Sequence, residues 1–135
     1  MTSQSIFLVT LVVDDYDTAK AFYCGVLGFD CAFDGPLPEG KRWVVVRPKG
    51  GEGAALLLAR ADGDEERAAI GNQTAGRVSF FLKTDDFHRD HEALLAKGVR
   101  FLEEPRHEPY GTVAVFADLY GNLWDLIQRA DETAT

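Results

Sequence analysis

The feature that most constrains this chain is that its pattern occurs twice. Residues 6–13 (IFLVTLVV) are apolar and largely β-branched, as in a strand covered on both faces. Asp14-Asp15-Tyr16 ends that run and opens an amphipathic helix with apolar positions Ala19, Phe22, Tyr23 and Leu27. Gly28 stops the helix. A short strand at 29–33, a loop at 34–40 with two prolines, a strand at 42–47, a turn at 48–53 and a strand at 54–59 follow. Residues 61–74 (ADGDEERAAIGNQT) are acidic and polar and read as a linker. Then the order restarts: a strand at 78–84, Asp85-Asp86-Phe87, a helix to Lys97, Gly98, a short strand at 99–103 and a terminal hairpin. The offset is 71 residues before the helices and 70 after them, so the second helix has one residue fewer. A repeat over nearly the whole chain predicts two structural modules rather than a chance match. The expected fold is α+β: two βαβββ modules, about 5–60 and 76–129, joined by the linker 61–75 in one domain of residues 1–135. Each module alone would leave one sheet face uncovered, and pairing the two would close that face around a cavity.

Composition narrows the function. At 135 residues with 46% hydrophobics the chain can build a real core. A net charge of −8 argues against nucleic acid, whose phosphates demand a basic face. No apolar run approaches the roughly 20 residues of a membrane helix, and residues 1–5 lack an export signal's basic start and apolar core. Cys24 and Cys31 fit neither a zinc pattern nor a disulfide framework. A cytoplasmic protein with reduced thiols and no nucleic-acid or membrane partner is expected.

One residue breaks the pattern. In the last strand, Leu123, Asp125 and Ile127 share one face while Trp124 and Leu126 share the other. A charge among apolar neighbours costs several kcal/mol unless it is paired or faces a wet cavity. The strand is entered through Asp118-Leu119-Tyr120-Gly121, with Asp and Gly at the first and fourth positions that a type I turn favours.

The run from Val13-Asp14-Asp15-Tyr16 through Phe22-Tyr23 to Leu27-Gly28-Phe29, with its echo from Thr84, resembles the vicinal oxygen chelate superfamily. So does the ending Asp118-Leu119-Tyr120-Gly121-Asn122-Leu123-Trp124-Asp125-Leu126. That superfamily includes glyoxalase I, bleomycin-resistance and fosfomycin-resistance proteins and extradiol dioxygenases. The resemblance implies paired modules in a cup-shaped half-open barrel, in a homodimer. It also implies metal-ligand seats on the first and last strand of each module, which fall here on Leu8, Ala55, Ser79 and Asp125. Leu8 and Ala55 carry no donor atom, and a neutral Ser hydroxyl is a poor anchor for a first-row metal. No metal cofactor is therefore expected, because such a site needs three or more good ligands.

Strand alternation places Leu8, Thr10 and Val12 on one face, with Ala55 and Leu57 beside them, and Ser79, Phe81 and Lys83 with Asp125. Trp43 and Tyr110 stand at strand starts near the mouth. The expected ligand pocket is thus Leu8, Thr10, Trp43, Ser79, Phe81, Lys83, Tyr110 and Asp125, apolar with a few polar points. Asp125 is the best catalytic candidate, as a general base if burial raises its pKa, or equally a counter-ion for an amine. If these side chains merely fill a barrel, Asp125 is paired to Lys83 or Arg47. His88 and His91 lie on a helix expected outside the sheet, with His91 on the packing stripe of Phe87, Leu94 and Leu95. His107 is a loop histidine that could reach the rim. Gly50-Gly51-Glu52-Gly53 lacks the Lys-Ser/Thr and helix of a phosphate loop and reads as a hairpin turn. The Asp14-Asp15 and Asp85-Asp86 pairs read as helix caps. These observations favour a metal-independent small-molecule-binding protein, closest to the bleomycin-resistance type, holding an amphipathic or cationic ligand. The alternatives are a lyase, isomerase or dioxygenase with a degenerate or partner-completed metal site, and a purely structural or partner-binding dimer with a filled barrel.

Overall fold

The structure, a computed structural model, describes residues 2–130. The chain divides into two compact units, with the boundary between Gly71 and Asn72. No helix among the described residues is long and apolar enough to cross a membrane.

The first unit is β1 (Leu8–Val13), α1 (Tyr16–Lys20), β2 (Asp30–Pro36), β3 (Arg42–Arg47), β4 (Ala55–Arg60) and α2 (Asp64–Ala69). Its sheet runs β1-β4-β3-β2, with β1 parallel to β4 and the other pairs antiparallel. Asp15 caps α1, its carboxylate accepting from the Thr18 backbone N–H at 2.9 Å and the Thr18 hydroxyl at 2.8 Å. The helix then widens into a π-helical turn, Ala21–Val26, in which the Leu27 N–H donates to the Phe22 carbonyl at 3.0 Å. A π turn accommodates one extra residue within an α-helix without shifting what flanks it. It sits where the first copy of the repeat is one residue longer than the second, and explains the step from 71 to 70. Leu11, Val13, Tyr16, Ala19, Tyr23, Val44, Val46, Leu56 and Leu58 form the core on the helix side.

Residues 61–74, expected to be a linker, instead contain α2. Three acidic residues (Asp64, Glu65, Glu66) crowd its first turn, where the helix dipole favours negative charge, and Ala68 and Ala69 are good helix formers. Composition alone hid this, because the segment is too short to show an apolar period.

The second unit is β5 (Val78–Lys83), α3 (Phe87–Ala96), β6 (Arg100–Phe101), β7 (Arg106–Glu108), β8 (Gly111–Ala117) and β9 (Leu123–Arg129). Its sheet runs β5-β9-β8-β6, β7 also pairing with β8. Asp86 caps α3 through the Arg89 N–H at 3.1 Å, as Asp15 caps α1. Both carboxylate pairs are therefore helix starts. The short strand expected at 99–103 is broken. Pro105 has no N–H to give a ladder, and pairing with β8 resumes only at Arg106. Across the gap the Glu103 carboxylate accepts the Val115 N–H at 3.0 Å, replacing a missing backbone acceptor. Leu95, assigned above to the packing stripe of α3, is 48% exposed, whereas Phe87 and Leu94 are buried.

Candidate functional site

The site is built from the second unit's sheet. Trp124 and Leu126 of β9 are buried on the α3 side, which turns Asp125 to the other face. In register, Phe81 of β5 stands beside Asp125 on one side and Val115 of β8 on the other. Lys83 is level with Ile127. The expected grouping of Phe81, Lys83, Asp125 and Ile127 on one face is what the ladder shows. Phe81 is 67% exposed, so the face carries an accessible aromatic ring next to a half-buried carboxylate.

Ser79 differs. The β5–β9 register shifts between Val78 and Phe80, which leaves Ser79 out of the ladder pairs and sets Phe81 opposite Asp125. The Ser79 hydroxyl is 2.8 Å from the Thr74 hydroxyl. In the first unit Leu8 pairs with Ala55 and Thr10 with Leu57, as alternation predicts. Thr10 is exposed and Leu8 half-buried. Trp43 also belongs to the first unit, 40% exposed at the start of β3.

Around Asp125 lies a charged group that strand alternation did not find. Arg106 donates through Nε to both Glu103 oxygens (3.0 and 3.1 Å) and through Nη1 to Glu108 Oε1 at 3.1 Å. Nη1 also reaches the Tyr110 hydroxyl at a long 3.5 Å, and Tyr110 itself is 52% exposed. Burial pushes the Asp125 carboxyl above its usual value; nearby Arg106 partly offsets this and Glu103 adds to it. Asp125 Oδ1 is buried with no hydrogen-bond donor among the described residues. Such an atom is costly unless something meets it. Three carboxylates against one guanidinium give the patch a net negative charge. Its chemistry suits a ligand that brings a hydrogen-bond donor or a positive charge. The one signal of this group in the sequence is the alternation of Glu103, Arg106 and Glu108 around Pro105.

The histidines play no part in it. His91 stacks on Phe87 at 5.3 Å and meets Phe101 edge-on at 4.5 Å, a packing role. His107 lies in β7 level with Thr112, its Nδ1 3.3 Å from the Thr112 hydroxyl. Thr112 pairs with Gln128, on the opposite face of the sheet from Asp125. Among the described residues, no group of three or more His, Cys, Asp or Glu is placed to hold a metal ion. Of the four positions that the resemblance implied as metal-ligand seats, Leu8, Ala55, Ser79 and Asp125, two carry no donor atom in their side chains.

Comparison with known proteins follows the same line. Residues 5–126 match the Glyoxalase/Bleomycin resistance protein/Dioxygenase superfamily. The chain belongs to that superfamily. It is 53% identical over 130 residues to an uncharacterised protein of Shewanella frigidimarina, covering 96% of each chain. Among solved structures it resembles UcmS2, with a TM-score of 0.81 and 31% identity over 93% of this chain and 98% of that one. It likewise resembles TnmS3, an antibiotic-binding protein from Streptomyces sp. CB03234. That likeness has a TM-score of 0.75 and 31% identity over 96% of this chain and 99% of that one. The superfamily expected from the Asp-Asp-Tyr and Asp-Leu-Tyr-Gly-Asn runs is thus the one found, and its βαβββ pattern is present in both units.

Proposed function

We propose that this member of the superfamily is a metal-independent binder of an amphipathic, cationic small molecule, with Asp125 as its polar anchor. The observation that carries the reading is the buried, unpartnered Oδ1 of Asp125 beside the exposed ring of Phe81. A ligand ammonium would satisfy that oxygen while its apolar part covers Phe81. Glu103 and Glu108 add negative potential at the rim, and Tyr110 offers a second aromatic surface. The likeness to an antibiotic-binding protein supports a binding role. The donor chemistry of Leu8, Ala55 and Ser79 supports independence from metal.

The test compares 9-aminoacridine, a cation, with neutral acridine by titration calorimetry. The cation is expected to bind more tightly, and Asp125→Asn to weaken it by about tenfold or more while leaving acridine unchanged, since a charge-assisted hydrogen bond is worth about 1.5–3 kcal/mol. Equal affinities, or stoichiometric zinc, nickel or iron in the purified protein, would overturn the reading.

The same variant is expected to stabilise the fold. A carboxyl whose pKa is raised on folding binds its proton more tightly in the folded state, so its charge disfavours folding at neutral pH. That penalty disappears as pH falls below the unfolded value of about 3.9. Asp125→Asn should therefore raise Tm at pH 7, with the gain shrinking toward pH 4. Weaker binding together with a firmer fold separates loss of an anchor from general damage.

A further inference from the structure

The first unit contains a groove of its own that the Asp125 site does not use. It has a volume of about 240 Å³ and lies between the end of β4 and the start of β3. Leu37, Trp43 and Leu57 supply its apolar wall, and the buried ring of Tyr16 also lines it. The guanidinium groups of Arg42 and Arg60 both lie over that ring, each 5.2 Å from its centroid.

The two arginines are held alike but paired differently. Arg42 donates to Asp34 at 2.7 and 3.2 Å and meets Asp17 at 3.0 Å. Asp34, which Lys20 also contacts at 2.9 Å, is held by these cations at a pKa of about 2. Arg60 has no carboxylate partner among the described residues, where its guanidinium donates to the Gly40 carbonyl at 3.5 Å. Stacking on an aromatic ring orients a guanidinium while leaving its N–H edges available. On the rim, Asp62 lies 4.0 Å from Lys41, and Glu66 keeps its charge but turns one oxygen to the Asp62 N–H at 3.0 Å. Arg60 is thus a cation on the wall of this groove without a carboxylate partner among the described residues, although the chain as a whole carries −8.

We propose that this groove is a second ligand site, taking a single-ring aromatic carboxylate. The ring lies against Trp43 and Leu57, and the carboxylate takes the N–H edge of Arg60, the fork that matches it. The volume is below the roughly 300 Å³ at which drug-sized pockets begin, which limits the ligand to about one ring. Tyr16 acts as a positioning residue, holding Arg60 in place without touching the ligand's charge.

Titration with phenylacetate and with phenethylamine, followed by the indole N–H resonances, tests this. The chain has two tryptophans, Trp43 and Trp124, and Trp43→Phe identifies the signal. Phenylacetate should shift the Trp43 signal and leave that of buried Trp124 in place. Arg60→Gln should weaken phenylacetate by about tenfold or more, and Asp125→Asn should leave it unchanged. Arg60→Glu should reverse the preference toward phenethylamine, an outcome that unfolding does not produce. Wild-type affinity in Arg60→Gln, stronger binding of phenethylamine than phenylacetate to the native chain, or no shift at Trp43 would each overturn the proposal.

Discussion

Phe87→Ala is expected to destabilise the protein by about 4 kcal/mol, the usual cost of emptying a fully buried phenylalanine site. Phe87 is 0% exposed, stacks on His91 and meets His88 edge-on at 5.8 Å. It is the first residue of α3, and its N–H donates to the Gln128 side chain of β9 at 2.8 Å. One position thus joins the helix start to the strand that carries Asp125. Phe87→Leu keeps the backbone bond and most of the volume and should cost less than half as much. Urea unfolding midpoints at constant slope measure both. A loss under 2 kcal/mol for the alanine variant would mean that α3 can be repacked and does not fix β9.

Much of the fold was legible because it is written twice. The pairs Asp14-Asp15 and Asp85-Asp86 stand at matching places, and in both the second carboxylate caps the helix. Even the one-residue mismatch between the copies had physical content, since the π turn at Ala21–Val26 absorbs it. What escaped was local and aperiodic. The helix Asp64–Ala69 is too short to declare a period, and the break between Phe101 and Arg106 follows from one proline and one glutamate side chain.

The site was legible only in part, for a related reason. Alternation along β5 and β9 correctly put Phe81, Lys83 and Asp125 on one face. It could not foresee the register shift near Ser79, because a bulge inserts a residue without changing the hydrophobic pattern around it. Nor could it bring Glu103, Arg106 and Glu108 to Asp125, because Glu103 lies on irregular chain and the strand Arg106–Glu108 is too short to show an alternation of its own. Trp43 was grouped with these residues by its place near a strand start. Its surroundings, Tyr16 with Arg42 and Arg60, favour a different ligand charge from that suited to Asp125.

Asp118→Ala is expected to cost about 3 kcal/mol and to weaken ligand binding at a residue it does not touch. Asp118 and Asn122 are 6% and 2% exposed, rare burial for such side chains. The Asp118 carboxylate accepts from the Tyr120 N–H, the Asn122 N–H and the Asn122 side-chain amide, each at 2.9 Å. Removing it strands three donors, each worth about 1–3 kcal/mol when buried without a partner, less what water entering the turn recovers. This turn sets the register of β8 on β9, in which Asp125 lies opposite Val115. A slip of one residue would move Asp125 to the α3 face, so any population of slipped chains lacks the anchor. Asp118→Asn retains an acceptor oxygen for the two backbone donors and should cost less than the alanine change. A double-mutant cycle of Asp118→Ala with Asn122→Ala should return a coupling above about 1 kcal/mol. Additive costs would show instead that Asp118 acts through its backbone bonds alone, leaving the Asn122 side chain without a share in the register.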